Sequence, residues 1–143
     1  MYSKNNEKSQ SVEGNNINFD TPMLQFLASK GIDFTSQEQE MFKLKSKPFM
    51  DLTVETWINP AGIREVSVCH YGEQNGDLMR DPEIVFLVQD HKELPTYFRN
   101  DYAGVERFDV HKSSQIIEIQ NFVKLWVKNL EAQGHELVKE DSS

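Results

Sequence analysis

Two runs of alternating residues constrain this chain more than any other feature. Leu52, Val54 and Thr56 alternate with Thr53, Glu55 and Trp57, and Val66, Val68 and His70 alternate with Glu65, Ser67, Cys69 and Tyr71. A period of two sends each set to its own face of a strand. Asn59-Pro60-Ala61-Gly62 between the runs is a turn signal, so they are expected to pair as a hairpin. Residues 83–89 are apolar on both faces, the pattern of a central, covered strand. Residues 96–99 and 105–110 are weaker strand candidates, broken by Asn100-Asp101 and Gly104. The pattern predicts a meander of four or five strands.

Helices are expected on either side of these strands. Asp20-Thr21-Pro22 offers an N-cap and a proline in the first turn, Met23, Leu24, Phe26 and Leu27 make an apolar face, and Gly31 is a stop. Thr35-Ser36 followed by Glu38 predicts a second short helix to about Leu44, ended before Lys47-Pro48. Ser113-Ser114 caps a longer helix that runs to about Gln133 and ends at Gly134. Its stripe is Ile116, Ile119, Val123, Trp126 and Leu130, widened by Ile117, Phe122, Leu125 and Val127. The expected class is α+β: an antiparallel sheet of four to five strands, two short N-terminal helices, and a long C-terminal helix packed on one face. Residues 1–19 read as a disordered arm, 20–135 as a single domain and 136–143 as a polar tail.

Charge narrows the partners. The net charge is −8, of which the arm contributes nothing and the tail −2. Residues 65–109 hold ten acidic and four basic side chains, so the negative charge gathers in the sheet region. Nucleic-acid binding needs a basic surface to displace counterions, and none is expected here. A cation, a basic protein partner or plain solubility all fit. The longest apolar run, Ile84-Val85-Phe86-Leu87-Val88, is too short to cross a bilayer, so no membrane association is expected. One cysteine, Cys69, permits no disulfide within the chain, and no signal-peptide pattern opens it. The expected compartment is the cytoplasm.

Residues 70–84 concentrate polar chemistry at what reads as a connection between strands. His70, Glu73, Asp77, Asp81 and Glu83 are ligand types for a metal, but their spacing fits no ligand signature. Turn chemistry accounts for Asn75-Gly76-Asp77, and Asp81-Pro82 reads as a strand start. Glu55, His70, Glu73 and Asp101 are candidates for acid–base chemistry. Cys69 and His70 are adjacent strand residues on opposite faces, so the thiol is expected to be a small buried hydrophobe. His91 and His111 are isolated and expected at the surface. No phosphate-cradling glycine loop and no Gly-x-Ser-x-Gly elbow occur, and no cofactor is expected. The segment 95–104 supplies Tyr97, Phe98, Arg99 and Tyr102, residue types enriched where proteins meet.

Several pieces of the middle of the chain share one resemblance. Met50-Asp51-Leu52-Thr53-Val54-Glu55, His70-Tyr71, Gln74-Asn75-Gly76-Asp77-Leu78-Met79, Asp81-Pro82-Glu83, Tyr97 and Asn100-Asp101-Tyr102 resemble a family of small bacterial proteins of unknown function, often encoded beside conjugative or other mobile elements. The motif spans about residues 40–110 and leaves out the arm and the last helix. The resemblance implies an accessory role in bacteria and carries over no catalytic residue. The expected function is a non-enzymatic accessory or regulatory protein that meets a protein partner through residues 70–83 and 95–104. Its expected surface is His70, Tyr71, Asp77, Asp81, Tyr97, Arg99, Asn100, Asp101 and Tyr102. The alternative is a metal-dependent hydrolase built on the His70 and carboxylate set. The sequence leaves the oligomeric state open.

Overall fold

The structure, a computed structural model, describes residues 19–107 and 113–138. The elements run α1 (Pro22–Ser29), β1 (Glu40–Lys45), β2 (Leu52–Ile58), β3 (Arg64–Gln74), β4 (Asp77–Gln89), β5 (Lys92–Asn100), β6 (Val105–Arg107), α2 (Ser113–Gln133) and β7 (Glu136–Leu137). The strands form one antiparallel sheet in the order β6-β5-β4-β3-β2-β1-β7. Both helices lie on the same face of it. Leu44, Leu52, Val54, Val66, Val68, Ile84 and Phe86 point to that face and are fully buried. They meet Met23, Leu24 and Leu27 of α1 and Ile119, Val123, Trp126 and Leu130 of α2.

The expected class holds at the level of α+β, but the element count needs correction. Seven strands replace the four or five expected, and one N-terminal helix replaces two. The second helix expected after Thr35-Ser36 is absent. The Asp33 carboxylate accepts from the Thr35 N–H, and the Ser36 hydroxyl accepts from the Glu38 N–H. These are the bonds of a cap, yet they close local turns, a use of Asp and Ser side chains that competes with helix. The chain then extends as β1, with Leu44 buried and Met41 and Lys43 exposed on the other face. Glu136–Leu137, expected in a tail, pair with Leu44–Lys45 as β7. Phe19, placed in the arm, is buried against Phe34. The rest of the arm (1–18), the tail from 139, the end of the last expected strand (108–110) and His111 lie outside the described residues.

The hairpin over Asn59–Gly62 forms as expected, with the Asn59 side chain accepting from the Ala61 and Ile63 N–H groups. Residues 70–83 are strand rather than connection. β3 and β4 continue past β2 and β5 as a two-stranded ribbon turned by Asn75 (φ 53°) and Gly76 (φ 84°). Positive φ at both central residues gives the tight hairpin turn whose twist matches the strands. Two exposed residues of α2, Ile117 and Leu125, fall outside the apolar stripe they were expected to widen.

The N-terminus of α1 is capped from the sheet. Thr21, in the N-cap position, makes no capping bond; its hydroxyl accepts from the Glu93 N–H. The Glu93 carboxylate instead accepts from the Met23 N–H at 3.1 Å and the Leu24 N–H at 2.7 Å. Burial pushes its pKa upward, against the pull of those two N–H bonds. Glu93→Gln places an amide NH₂ against one of the helix donors. That substitution is expected to cost about 1–3 kcal/mol, the range for a buried group left without its partner. Urea unfolding checks it: the midpoint falls while the slope stays constant.

Candidate functional site

The sheet divides the sequence-derived surface between its two faces. His70, Asp81 and Asn100 lie on the helix side. Tyr71, Tyr97, Arg99 and Asp101 belong to the opposite face, on which no described helix packs. A register shift causes part of this division. Cys69 pairs with Glu83 and Tyr71 with Arg80, so Asp81 and Pro82 stand together opposite His70.

On the bare face the charged groups bond to one another. Ser67 donates to Glu83 at 2.8 Å, and Arg80 Nε meets the other Glu83 oxygen at 3.0 Å. Asp101 accepts from the Arg80 backbone N–H at 2.8 Å and from Arg99 Nε at 2.6 Å. Those donors hold its carboxyl below the usual carboxylate range. Glu106 lies 3.6 Å from Arg99 and accepts from the Tyr97 hydroxyl at 2.7 Å. Cys69 is buried beneath this ladder, and burial, with Glu83 adding to it, pushes its thiol up to about 12. That is the reverse of what a nucleophilic thiol requires.

The helix side holds a cleft of about 410 Å³ at the end of the sheet. Its loop wall is Pro48, Phe49 and Met50, its sheet wall His70, Asp81 and Pro82, and its helix wall Trp126, Asn129 and Gln133. Trp126, Asn129 and Gln133 are three and four residues apart, which puts them on one side of α2. The Lys47–Pro48 and Asp81–Pro82 peptide bonds, both at its rim, are cis.

Two imidazoles hold the loop wall. His70 Nδ1 lies 2.9 Å from the Asp51 carbonyl and His135 Nε2 lies 2.8 Å from the Met50 carbonyl. A carbonyl only accepts, so each of these nitrogens carries the proton. The other nitrogen of the His70 ring, which burial keeps neutral, is therefore an acceptor. Burial is the main cause that depresses the His70 pKa, opposed by its bond to the Asp51 carbonyl and reinforced by His135. The His70 ring sits 5.4 Å from Trp126 and 6.0 Å from His135. Trp126 Nε1 and His135 Nδ1 are buried without a hydrogen-bond partner among the described residues.

His135 escaped the sequence reading. It follows Gly134 (φ 79°), and its N–H bonds the Leu130 carbonyl across the helix end. That six-to-one bond turns the residue after the glycine back onto the helix. The signal was present in Gly134 itself, since such a residue commonly packs inward.

The cleft edge collects further sequence candidates. Asn100 donates to Asp81 at 3.2 Å, and the Asp101 N–H donates to the Arg80 carbonyl at 2.8 Å. These bonds fix the 100–104 turn beside the ribbon. Tyr102 leans over Gly72, where a built Cβ would lie 2.6 Å from its hydroxyl and 3.5 Å from Met50. Phe49, Met50 and Tyr102 are all exposed. The metal candidates disperse: His70 and Asp81 at the cleft, Glu73 and Asp77 at the ribbon tip, Glu83 on the bare face. Among the described residues no three His, Cys, Asp or Glu side chains are grouped to hold one ion. The acid–base set splits too, with Glu55 on the bare face, opposite Ser67 in register, and His70 on the other. His91 is exposed in the β4–β5 turn.

A family model described as a domain of unknown function, DUF6908, matches residues 23–136. The chain belongs to that family. No curated protein and no solved structure matches it. The DUF6908 match runs from the first turn of α1 to the start of β7, so it takes in both helices as well as the central motif. No helix of the described DUF6908 residues is long and apolar enough to cross a membrane.

Two outcomes test this geometry. Cys69 stays unmodified by an aromatic disulfide reagent at about pH 8 in the native protein and reacts fully once unfolded, read by absorbance. A depressed His70 pKa contributes stability that is present above about pH 6.5 and is lost as pH falls through the native value. Glu93, shifted upward, acts in the opposite sense. Urea midpoints measured against pH in wild type and in His70→Asn isolate the histidine: the wild-type loss on acidification is steeper than that of the variant.

Proposed function

We propose that the protein is a non-enzymatic accessory or regulatory binding protein that meets a protein partner through the cleft end of its sheet. One observation carries this reading. Phe49 and Met50 are exposed at the cleft and Tyr102 is exposed beside Met50 over Gly72, while the charged groups of the opposite face are engaged with one another. Exposed aromatic and thioether side chains beside a concavity are the composition of interface anchors. The recognition surface is then His70, Asp81, Asn100 and Tyr102, joined by Phe49 and Met50. Tyr97 and Arg99 fall outside it. An accessory role in bacterial mobile elements rests on the resemblance of the central motif.

Affinity capture with paired variants tests this. A partner retained by wild type is expected to be lost from the double variant Phe49→Asp, Tyr102→Ala. It is expected to remain with Leu94→Asp, which places a charge at an exposed residue of the bare face. Gly72→Ala, which displaces the Tyr102 ring, weakens capture in a protein of unchanged thermal stability. Loss through Leu94→Asp with retention by the double variant moves the interface to the other face and overturns the reading.

A further inference from the structure

The cleft holds one carboxylate and no cation of its own. Asp81 uses Oδ1 to accept from Asn100 and has no cationic partner among the described residues. The second nitrogen of His70 is an acceptor, because the first donates to the Asp51 carbonyl. Asn129 and Gln133 add two carboxamides, each able to turn its oxygen or its NH₂ to a ligand, and neither Lys nor Arg lines the cleft. Phe49 presents an exposed ring at the rim. Of the basic residues around it, Arg80 is paired with Glu83, Arg99 with Asp101 and Lys45 with Asp51, and Lys47 and Lys128, although next in sequence to Pro48 and Asn129, do not line the cleft.

We propose that the cleft receives an arginine guanidinium from a basic segment of the partner. This rests on the reading above and names the group that the surface recognises. A guanidinium has five donors in a planar fork and no acceptor, which complements one carboxylate, one imidazole lone pair and two carboxamide oxygens. Its plane stacks on an aromatic ring such as Phe49, and its stem lies along Met50 and the prolines. An anionic ligand would meet Asp81 with nothing to offset it. A lysine would satisfy the carboxylate but not the fork or the stacking. The net charge of −8 steers a basic segment toward the protein, and the ribbon-tip carboxylates Glu73 and Asp77 extend that attraction beyond the cleft.

Chemical-shift titration of the isotopically labelled full chain tests the assignment, with Nα-acetyl-arginine amide as probe. Saturable shifts at the Trp126 indole N–H and at His70 are expected. Nα-acetyl-citrulline amide, the same shape without charge, is expected to leave them in place, and Nα-acetyl-lysine amide to bind more weakly. Asp81→Asn, which preserves the acceptor that Asn100 uses, weakens the arginine probe by about fivefold to tenfold, the scale of a lost charge-assisted contact. Equal shifts from citrulline, shifts confined to the bare face, or no saturation at the cleft overturn the proposal, and none of these needs a variant to fold. If the arginine probe fails while Phe49→Asp, Tyr102→Ala still abolishes capture, the guanidinium assignment falls and the binding surface stands.

Discussion

Two N–H donors on imidazole rings, bonded to the consecutive carbonyls of Met50 and Asp51, hold the cleft together. The segment between β1 and β2 has no strand partner there, and a buried carbonyl without a donor costs about 1–3 kcal/mol. One ring comes from the middle of β3 and the other from the residue after α2, so sheet, helix end and loop are tied at a single point. Ser46 adds a bond from its hydroxyl to the Gln133 carbonyl. Phe49 and Met50 ride on this loop, and their placement over the cleft follows from the bonds beneath them.

The charge distribution follows from the same division of faces. Glu83 meets Arg80 within β4 and Asp101 meets Arg99 at the end of β5, while Arg80 reaches Asp101 and Arg99 reaches Glu106 from neighbouring strands of the bare face. Cross-strand pairs of opposite charge stabilise a sheet modestly and offset one another in the long-range field. Glu73, Asp77 and Asp81 have no ion pair among the described residues and lie at the ribbon and cleft, while Glu65, Asp90 and Glu93, also without an ion pair, lie toward the other end of the strands. The negative charge that reads in the sequence as a diffuse excess over residues 65–109 is therefore carried at both ends of these strands, with Asp81 as the carboxylate that lines the cleft.

Legibility in the sequence tracked how local each cause was. The Asn59–Gly62 turn, the Asn75-Gly76 turn, the glycine stops at 31 and 134 and the core stripe of α2 depend on neighbouring residues, and each forms where expected. β1 was obscured because Asp33 and Ser36 make real capping-type bonds without a helix behind them. β7 has two residues and exists only because β1 offers an edge. At the site, His70 and Asp81 were legible as members of a larger candidate set, and nothing local singled them out as the two that meet. The contributions of Asn129, Gln133 and His135 were not legible, since a helix meets the end of a sheet only through tertiary packing. Alternation placed Cys69 and His70 on opposite faces correctly, yet it could not carry the face assignment past residue 80.

That failure at residue 80 has a specific physical origin. Residues three apart in a regular strand point to opposite faces. Arg80 and Glu83 nevertheless share the bare face and approach to 3.0 Å, because the register shift opposite His70 adds a residue to β4 between them. Such a bulge leaves extra residues unpaired and re-aims the side chains around it. The result separates opposite charges that are adjacent in sequence. Arg80 goes to the ladder of Glu83 and Asp101, and Asp81 goes to the cleft beside His70. With regular pairing from Glu83 onward, Arg80 would fall on the helix side, and its guanidinium would supply the cation that the cleft lacks. The bulge therefore decides the charge of the cleft: one irregularity in one strand places a carboxylate there and sends the adjacent guanidinium to the other face.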